Sequence, residues 1–334
     1  MHAVRLHAFG PAENLVLEET EDPVPGPGQV RIAVAAAGVH LLDTALRAGM
    51  TSAVHAAPEL PTIPGREVAG TVDALGAGTD PTWLGKRAVA HLGMVPGGYA
   101  ERAVVAAERL HELPEGLDEA QAVAMIGTGR TTMGIVQFAE LTADDVVIVT
   151  SAAGGIGQLL VQYAQNAGAT VIGLAGGAAK VARVRELGAP IAEDYNDPAW
   201  PERVRAALAG RAATVLFDGV GGDAARAGVE LLGRGGRHLV FGWSSTGLRG
   251  GGPLELEEKE LTERGITSTP VLGPPMLERA GGPDPMRTLE ERSLAEAAAG
   301  RMIPAVQRFP LAEAAAAHRA LENRATMGKV VLIP

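Results

Sequence analysis

The chain has 334 residues, enough for two domains and for cores that need no disulfide staples. It holds no cysteine, which removes disulfides and thiolate metal sites together, and its net charge of -10 opposes nucleic-acid phosphates and anionic membrane surfaces. There is no apolar run of the roughly 18 residues a membrane span needs, and Met1-His2-Ala3-Val4-Arg5-Leu6 has no signal-like apolar core, so a cytoplasmic protein is expected.

In chain order, the first third reads as short strands between turns. Arg31 to Ala37 is a β run behind the turn cluster Pro23-Val24-Pro25-Gly26-Pro27-Gly28, and Glu67 to Leu75 and Arg87 to His91 follow. Closely spaced strands with few helices predict a small β-barrel-type domain. From Gln121 the texture changes. Ala122 to Glu140 has helical spacing, and Val146-Val147-Ile148-Val149 is an unbroken apolar run, as in a strand buried on both faces. Apolar segments recur at Thr170 to Leu174, Thr214 to Phe217 and His238 to Phe241. Between them lie helical stretches at Ile156 to Ala167, Ala178 to Leu187, Pro201 to Leu208 and Asp223 to Leu232. That alternation predicts an α/β domain with a parallel sheet covered on both sides. Leu311 to Asn323 reads as an alanine-rich helix and Lys329 to Ile333 as a closing strand.

The buried run at Val146 leads into Thr150-Ser151-Ala152-Ala153-Gly154-Gly155-Ile156-Gly157 and then a helix. Strand, glycine turn and helix in this order form a dinucleotide-binding turn. Gly154 and Gly155 let the backbone approach a pyrophosphate, flanked by Ala153 and Ile156. The free N–H groups of the helix start attract its charge, and Gly157 lets the helix pack close to the strand. An NAD site places a carboxylate at the end of the second strand. Here that segment is Leu174-Ala175-Gly176-Gly177-Ala178-Ala179-Lys180, with no acid before Glu186. A carboxylate would repel a 2′-phosphate and Lys180 would neutralise one, so NADPH is the expected cofactor.

These segments and others resemble, along nearly the whole chain, the zinc-free medium-chain dehydrogenases/reductases of the NADPH:quinone oxidoreductase (zeta-crystallin-like) type. The matching stretches are Met1 to Gly10, Pro25 to Val30, Ala36 to His40 with Asp43-Thr44, Pro64 to Gly70, Gly98 to Glu101, the Ser151 to Gly157 turn, and Arg324 to Lys329. The resemblance implies a GroES-like catalytic domain (1–123 and 273–334) interrupted by a Rossmann domain (124–272), with the active site in the cleft between them. It also implies a homodimer joined along an edge strand at Gly265 to Val271. It puts Lys180, Tyr195 and Arg324 on the 2′-phosphate. Thr131 and the segment Phe241-Gly242-Trp243-Ser244 fall beside the nicotinamide.

Zinc-dependent relatives carry Gly-His-Glu where this chain has Gly65-Arg66-Glu67, and a guanidinium has no lone pair for a metal. With no cysteine either, no metal is expected. Of the eight histidines, His2, His7, His91, His111, His238 and His318 read as packing or solvated residues. His40 stands where the resemblance puts an asparagine facing the nicotinamide, and His55 lies in the loop Thr51 to Pro61 expected to border the substrate. Either could donate a proton near neutral pH. Asp43 and Thr44 are expected to shape the pocket. The expected reaction is hydride transfer from NADPH to a quinone or α,β-unsaturated carbonyl. An enoyl-thioester or carbonyl reductase, or a non-catalytic NADPH-binding protein, are the alternatives.

Overall fold

A computed structural model describes residues 1–50, 57–246 and 252–334. His55 and part of the loop Thr51 to Pro61 therefore lie outside the described residues. The chain divides into two units. The first is Met1–Gly129, Ser293–Ala298 and Pro304–Pro334; the second is Arg130–Arg292 and Ala299–Ile303.

In the first unit the long strand Gln29–Val39 pairs with three neighbours, Glu67–Leu75, Arg102–Ala106 and the closing strand Lys329–Ile333. These belong to a seven-stranded sheet that continues through Arg87–His91 to His111–Glu112 on one side and reaches Val306–Pro310 on the other. All its pairings are antiparallel except that of Val306–Pro310 with Lys329–Ile333. The register slips twice between Gln29–Val39 and Glu67–Leu75, between Arg31 and Ile32 and between Val34 and Ala36. Such bulges curl a sheet toward a barrel. At the second slip Gly70 lies so close to Ala33 that a Cβ would sit 1.9 Å from its carbonyl oxygen. The core is aliphatic, built on Val4, Leu6, Val30, Ile32, Val68, Val72 and Leu332, with Tyr99 as its large polar-tipped member.

The second unit holds a six-stranded parallel sheet in the order Ile191–Asp194, Thr170–Ala175, Val146–Val149, Ala213–Asp218, Leu232–Val240, Thr267–Pro270. All four residues of Val146–Val149 are buried, as helices on both faces require. The winding reverses between Val146–Val149 and Ala213–Asp218, the order of a Rossmann sheet. Strand Ile191–Asp194 was not expected, because its alternation Ile-Ala-Glu-Asp is too short and too polar. It sits at the sheet's end, where only one neighbour must be matched.

The helix expected from Ala122 to Glu140 is broken. Glu119–Ala124 gives way to a π-helical turn, Met125–Gly129, before Arg130–Val136 resumes. A π turn disturbs the regular carbonyl pairing, and here Ser293 Oγ donates to the Met125 carbonyl at 2.7 Å. Residues 273–292, expected with the first domain, pack in the second. Helix Pro274–Ala280 lies on helix Arg130–Val136, with Met276 in the space Gly134 leaves open. Gln137 Nε2 donates to the Met276 carbonyl and Arg279 Nε to the Gln137 carbonyl, each at 2.7 Å. Met276, Ala280 and Leu289 need the apolar cover of Met133 and Phe138, which draws this segment to the second unit. No described helix is long and apolar enough to cross a membrane.

Because the Gly70 contact is with backbone, it cannot be relieved by a rotamer change. Gly70→Ala is expected to cost about 1–3 kcal/mol, read as a fall of several degrees in Tm by differential scanning calorimetry.

Candidate functional site

At the reversal of the parallel sheet two loops leave the carboxyl ends of neighbouring strands in opposite directions. One is Thr150–Gly154, entering helix Gly155–Asn166; the other is Gly219–Gly221, entering helix Gly222–Val229. Ligands of doubly wound sheets bind at such a place. Ser151 has φ 51°, a conformation a side chain rarely adopts, and Gly154 N donates to its carbonyl at 2.8 Å. The N-cap of the twelve-residue helix is Gly154, and no side chain caps it. Its first N–H groups are thus left to an anion. A Cβ on Gly157 would fall 2.1 Å from the Ser151 carbonyl oxygen, so only glycine lets helix and turn approach this closely. The turn fits a pyrophosphate.

The neighbouring loop is held by a pair of which His238 reads in sequence as a packing or solvated residue and Asp218 carries no signal. Asp218 and His238 are fully buried, and His238 Nε2 meets Asp218 Oδ2 at 3.2 Å. Asp218 Oδ1 accepts from Val220 N and Gly221 N, each at 2.9 Å, and Thr150 Oγ1 accepts from Gly219 N at 2.8 Å. One carboxylate therefore ties the loop to the sheet. Gly242 passes against Gly219, with Phe241 and Trp243 on either side of it, and Trp243 is 45% exposed. The end of the second strand carries Gly176, against which the Tyr195 ring rests; a Cβ there would lie 3.0 Å from the phenol oxygen. Tyr195 N donates to the Ala175 carbonyl at 3.2 Å, and Lys180 lies in the first turn of helix Ala178–Glu186. The nearest acids are engaged, Glu193 with Arg203 at 2.7 Å and Asp194 with Asn196 N at 2.9 Å. Thr131 opens helix Arg130–Val136 of this unit; Arg324 belongs to the first unit, exposed, with φ 54°.

In the first unit, His40 ends strand Gln29–Val39 and caps helix Leu41–Arg47. Its ring meets the carboxylate of Glu67, and Lys329 Nζ lies 2.8 Å from Glu67 Oε2 and 2.9 Å from His40 Nε2. Glu67 is fully buried. Two glycines make its slot: a Cβ on Gly38 would lie 2.1 Å from Oε2, and one on Gly127, in the π turn, 1.4 Å from Oε1. Burial alone would raise the Glu67 pKa, but His40 and then Lys329 outweigh it and hold the carboxyl well below its usual range. His40 Nε2 can donate to Glu67 or accept from Lys329, and either choice sets the tautomer at Nδ1. The His40 side chain keeps 26% exposure.

Asp43 orders the same helix start. Its Oδ2 accepts from His40 N at 2.8 Å and from the Tyr99 phenol at 3.1 Å. Tyr99, whose proton is committed to Asp43, receives Nε2–H of His318 at 3.0 Å. That assigns the neutral Nε2–H tautomer, and the buried His318 Nδ1 has no partner that could accept a second proton. Burial lowers the His318 pKa to about 4. Burial, then Asp43, pushes the Tyr99 phenol well above 10. Gly65, with φ 85°, leaves room for the Tyr99 ring, since a Cβ there would lie 2.2 Å from it. Thr44 is buried and donates to the Leu41 carbonyl at 2.7 Å. A cavity of about 450 Å³ lies beside this network, walled by Asp43, Arg47 and Arg66 and by the apolar Leu6, Leu46 and Met94. His40 and Asp43 are thus brought together; Thr131 lies in the other unit.

A curled antiparallel sheet with a buried polar network, and a doubly wound parallel sheet with a dinucleotide turn, define a medium-chain dehydrogenase/reductase. Residues 26–115 match the family described as alcohol dehydrogenase GroES-like domain, and residues 155–275 the one described as zinc-binding dehydrogenase. The chain is 31% identical to a 2-haloacrylate reductase of a Burkholderia species, covering 99% of this chain and 98% of that one. It is also 31% identical to a quinone oxidoreductase of Pseudomonas aeruginosa, covering 99% of each. The solved Escherichia coli quinone oxidoreductase complexed with NADPH superposes with a TM-score of 0.83 at 27% identity, covering all of both chains. The chain belongs to the quinone oxidoreductase family of medium-chain dehydrogenases/reductases, and is an oxidoreductase. The donor set does not fit the zinc of the second family's description. Arg66 offers no lone pair, the chain has no cysteine, and no group of three or more His, Asp or Glu among the described residues could hold a metal ion.

His318 gives a pH signature. Above pH 6.5 folded and unfolded chains both hold a neutral ring. Between 6.5 and about 4 only the unfolded chain takes up the proton, so stability falls with pH across that window. The loss should reach about 3 kcal/mol, and the fall in Tm from pH 7 to 4 should be shallower in His318→Gln.

Proposed function

We propose that the protein is an NADPH-dependent, zinc-independent reductase that delivers hydride to a quinone or an α,β-unsaturated carbonyl. The observation that carries this is the uncapped glycine turn at the sheet reversal, beside a second strand end with Lys180 and Tyr195 and no acid from Leu174 to Lys180. The relatives' descriptions, a 2-haloacrylate reductase and quinone oxidoreductases, support the acceptor class. When bound, NADPH supplies the hydride, and the reduced acceptor gains one proton from solvent or a side chain. Gly155 and Ile156 would hold the pyrophosphate by backbone N–H groups, with Gly154, next to Ala153, letting it approach. Lys180, Tyr195 and Arg324 would hold the 2′-phosphate, with Gly176 leaving space for it. Thr131 and the Phe241-Gly242-Trp243 segment would place the nicotinamide. His40, oriented by Glu67 and Lys329, would polarise the acceptor oxygen through an N–H, while Asp43 holds the helix that carries it. Pairing of two copies along Thr267–Pro270, a terminal strand of the sheet, completes the proposal.

Two measurements test it. NADPH should bind at least about tenfold tighter than NADH, as a phosphate–lysine contact implies, and Lys180→Ala should narrow the gap; equal affinities by fluorescence titration would refute the assignment. NADPH oxidation should proceed with members of a quinone and enone panel, and His40→Ala should lower kcat roughly 10²–10³-fold, the scale for loss of one oxyanion donor. Tight NADPH binding with no turnover across the panel would point to a non-catalytic role.

A further inference from the structure

Arg66 is more than a missing metal ligand. It is 8% exposed, and its Nε has no hydrogen-bond partner. Among the described residues, the one hydrogen bond its guanidinium makes runs from Nη1 to the Met94 sulfur at 3.9 Å, a weak acceptor. Asp43 Oδ1 stands 3.9 Å from Nε, too far to accept, and Asp43 Oδ2 is committed to His40 N and Tyr99. A buried guanidinium with unused donors is costly unless a ligand completes it. Arg66 walls the cavity of about 450 Å³ described above. Of the other charged walls, Arg47 is ion-paired with Glu322 through both terminal nitrogens, although its Nε too lacks a hydrogen-bond partner, and Glu59 is exposed.

We propose that this cavity binds the acceptor through a carboxylate on Arg66, so that the preferred substrates are short α,β-unsaturated carboxylates rather than neutral quinones. A guanidinium fork matches a carboxylate in two parallel hydrogen bonds. The remaining walls, Leu6, Leu46 and Met94, suit a short apolar body. The nearby Asp43 disfavours a dianion such as a phosphate ester. The inference rests on the proposal that the first unit receives the acceptor.

The test is calorimetric titration of the NADP⁺-loaded protein with crotonate and with methyl crotonate, followed by NADPH oxidation with each. The acid should bind and turn over better than the ester by about 10–100-fold, the range for a charge-assisted pair. Arg66→Met should collapse that preference to near unity, and Arg66→Lys should keep part of it. The wild-type comparison needs no variant, so a misfolded substitution leaves the result readable. No preference for the acid in the wild type, or equal loss for acid and ester in a folded Arg66→Met, overturns the carboxylate site. Arg66-dependent crotonate binding without crotonate turnover, while members of the quinone and enone panel are reduced, overturns the assignment of this cavity to the acceptor; the same binding with no turnover across the whole panel refutes the reductase reading instead.

Discussion

A carboxylate without water needs positive charge beside it, and in the first unit everything near the site is arranged around that need at Glu67. The strand Glu67–Leu75 begins with this buried acid, and Gly38 and Gly127 leave it room. Lys329 arrives from the closing strand and His40 from the end of Gln29–Val39. Removing one partner of such a group typically costs about 3–5 kcal/mol, because the other charge is left buried and unpaired. The same contacts fix where His40 sits. In a zinc enzyme a metal could supply that positive charge; here an ammonium does.

The second unit solves a different problem, how to hold a mobile anionic cofactor without burying a charge against it. Its answer is backbone. The uncapped start of helix Gly155–Asn166 leaves N–H groups open, the loop at Gly219–Gly221 adds glycines, and the charge that fixes that loop, Asp218, faces inward to His238.

Much of this was legible in the sequence. Glu67–Leu75, Arg87–His91, Val146–Val149 and Lys329–Ile333 run within the bounds that alternation or unbroken apolar runs suggest, since burial on one or two faces writes itself into residue order. The glycine turn was legible because its conformation demands its composition. The π turn at Met125–Gly129 was not, because its cause is Glu67, far away in the chain. The network of Tyr99, His318 and Asp43 was hidden for the same reason, although Gly65 and the Gly98-Tyr99 pair hinted that something large had to fit closely. His238 reads as a packing histidine until its partner across the sheet is seen. Long-range polar pairing leaves no periodic trace.

The position of the closing strand has a consequence for biosynthesis. Lys329–Ile333 lies between Gln29–Val39 and Val306–Pro310 in the sheet, yet it follows both in sequence. As the chain leaves the ribosome, Glu67 emerges well before its lysine, with the bulk of the second unit between them. The second unit is almost continuous in sequence, from Arg130 to Arg292, and can assemble during that wait. The first unit therefore cannot close until Lys329 has emerged, and that step brings the neutralising charge to the acid.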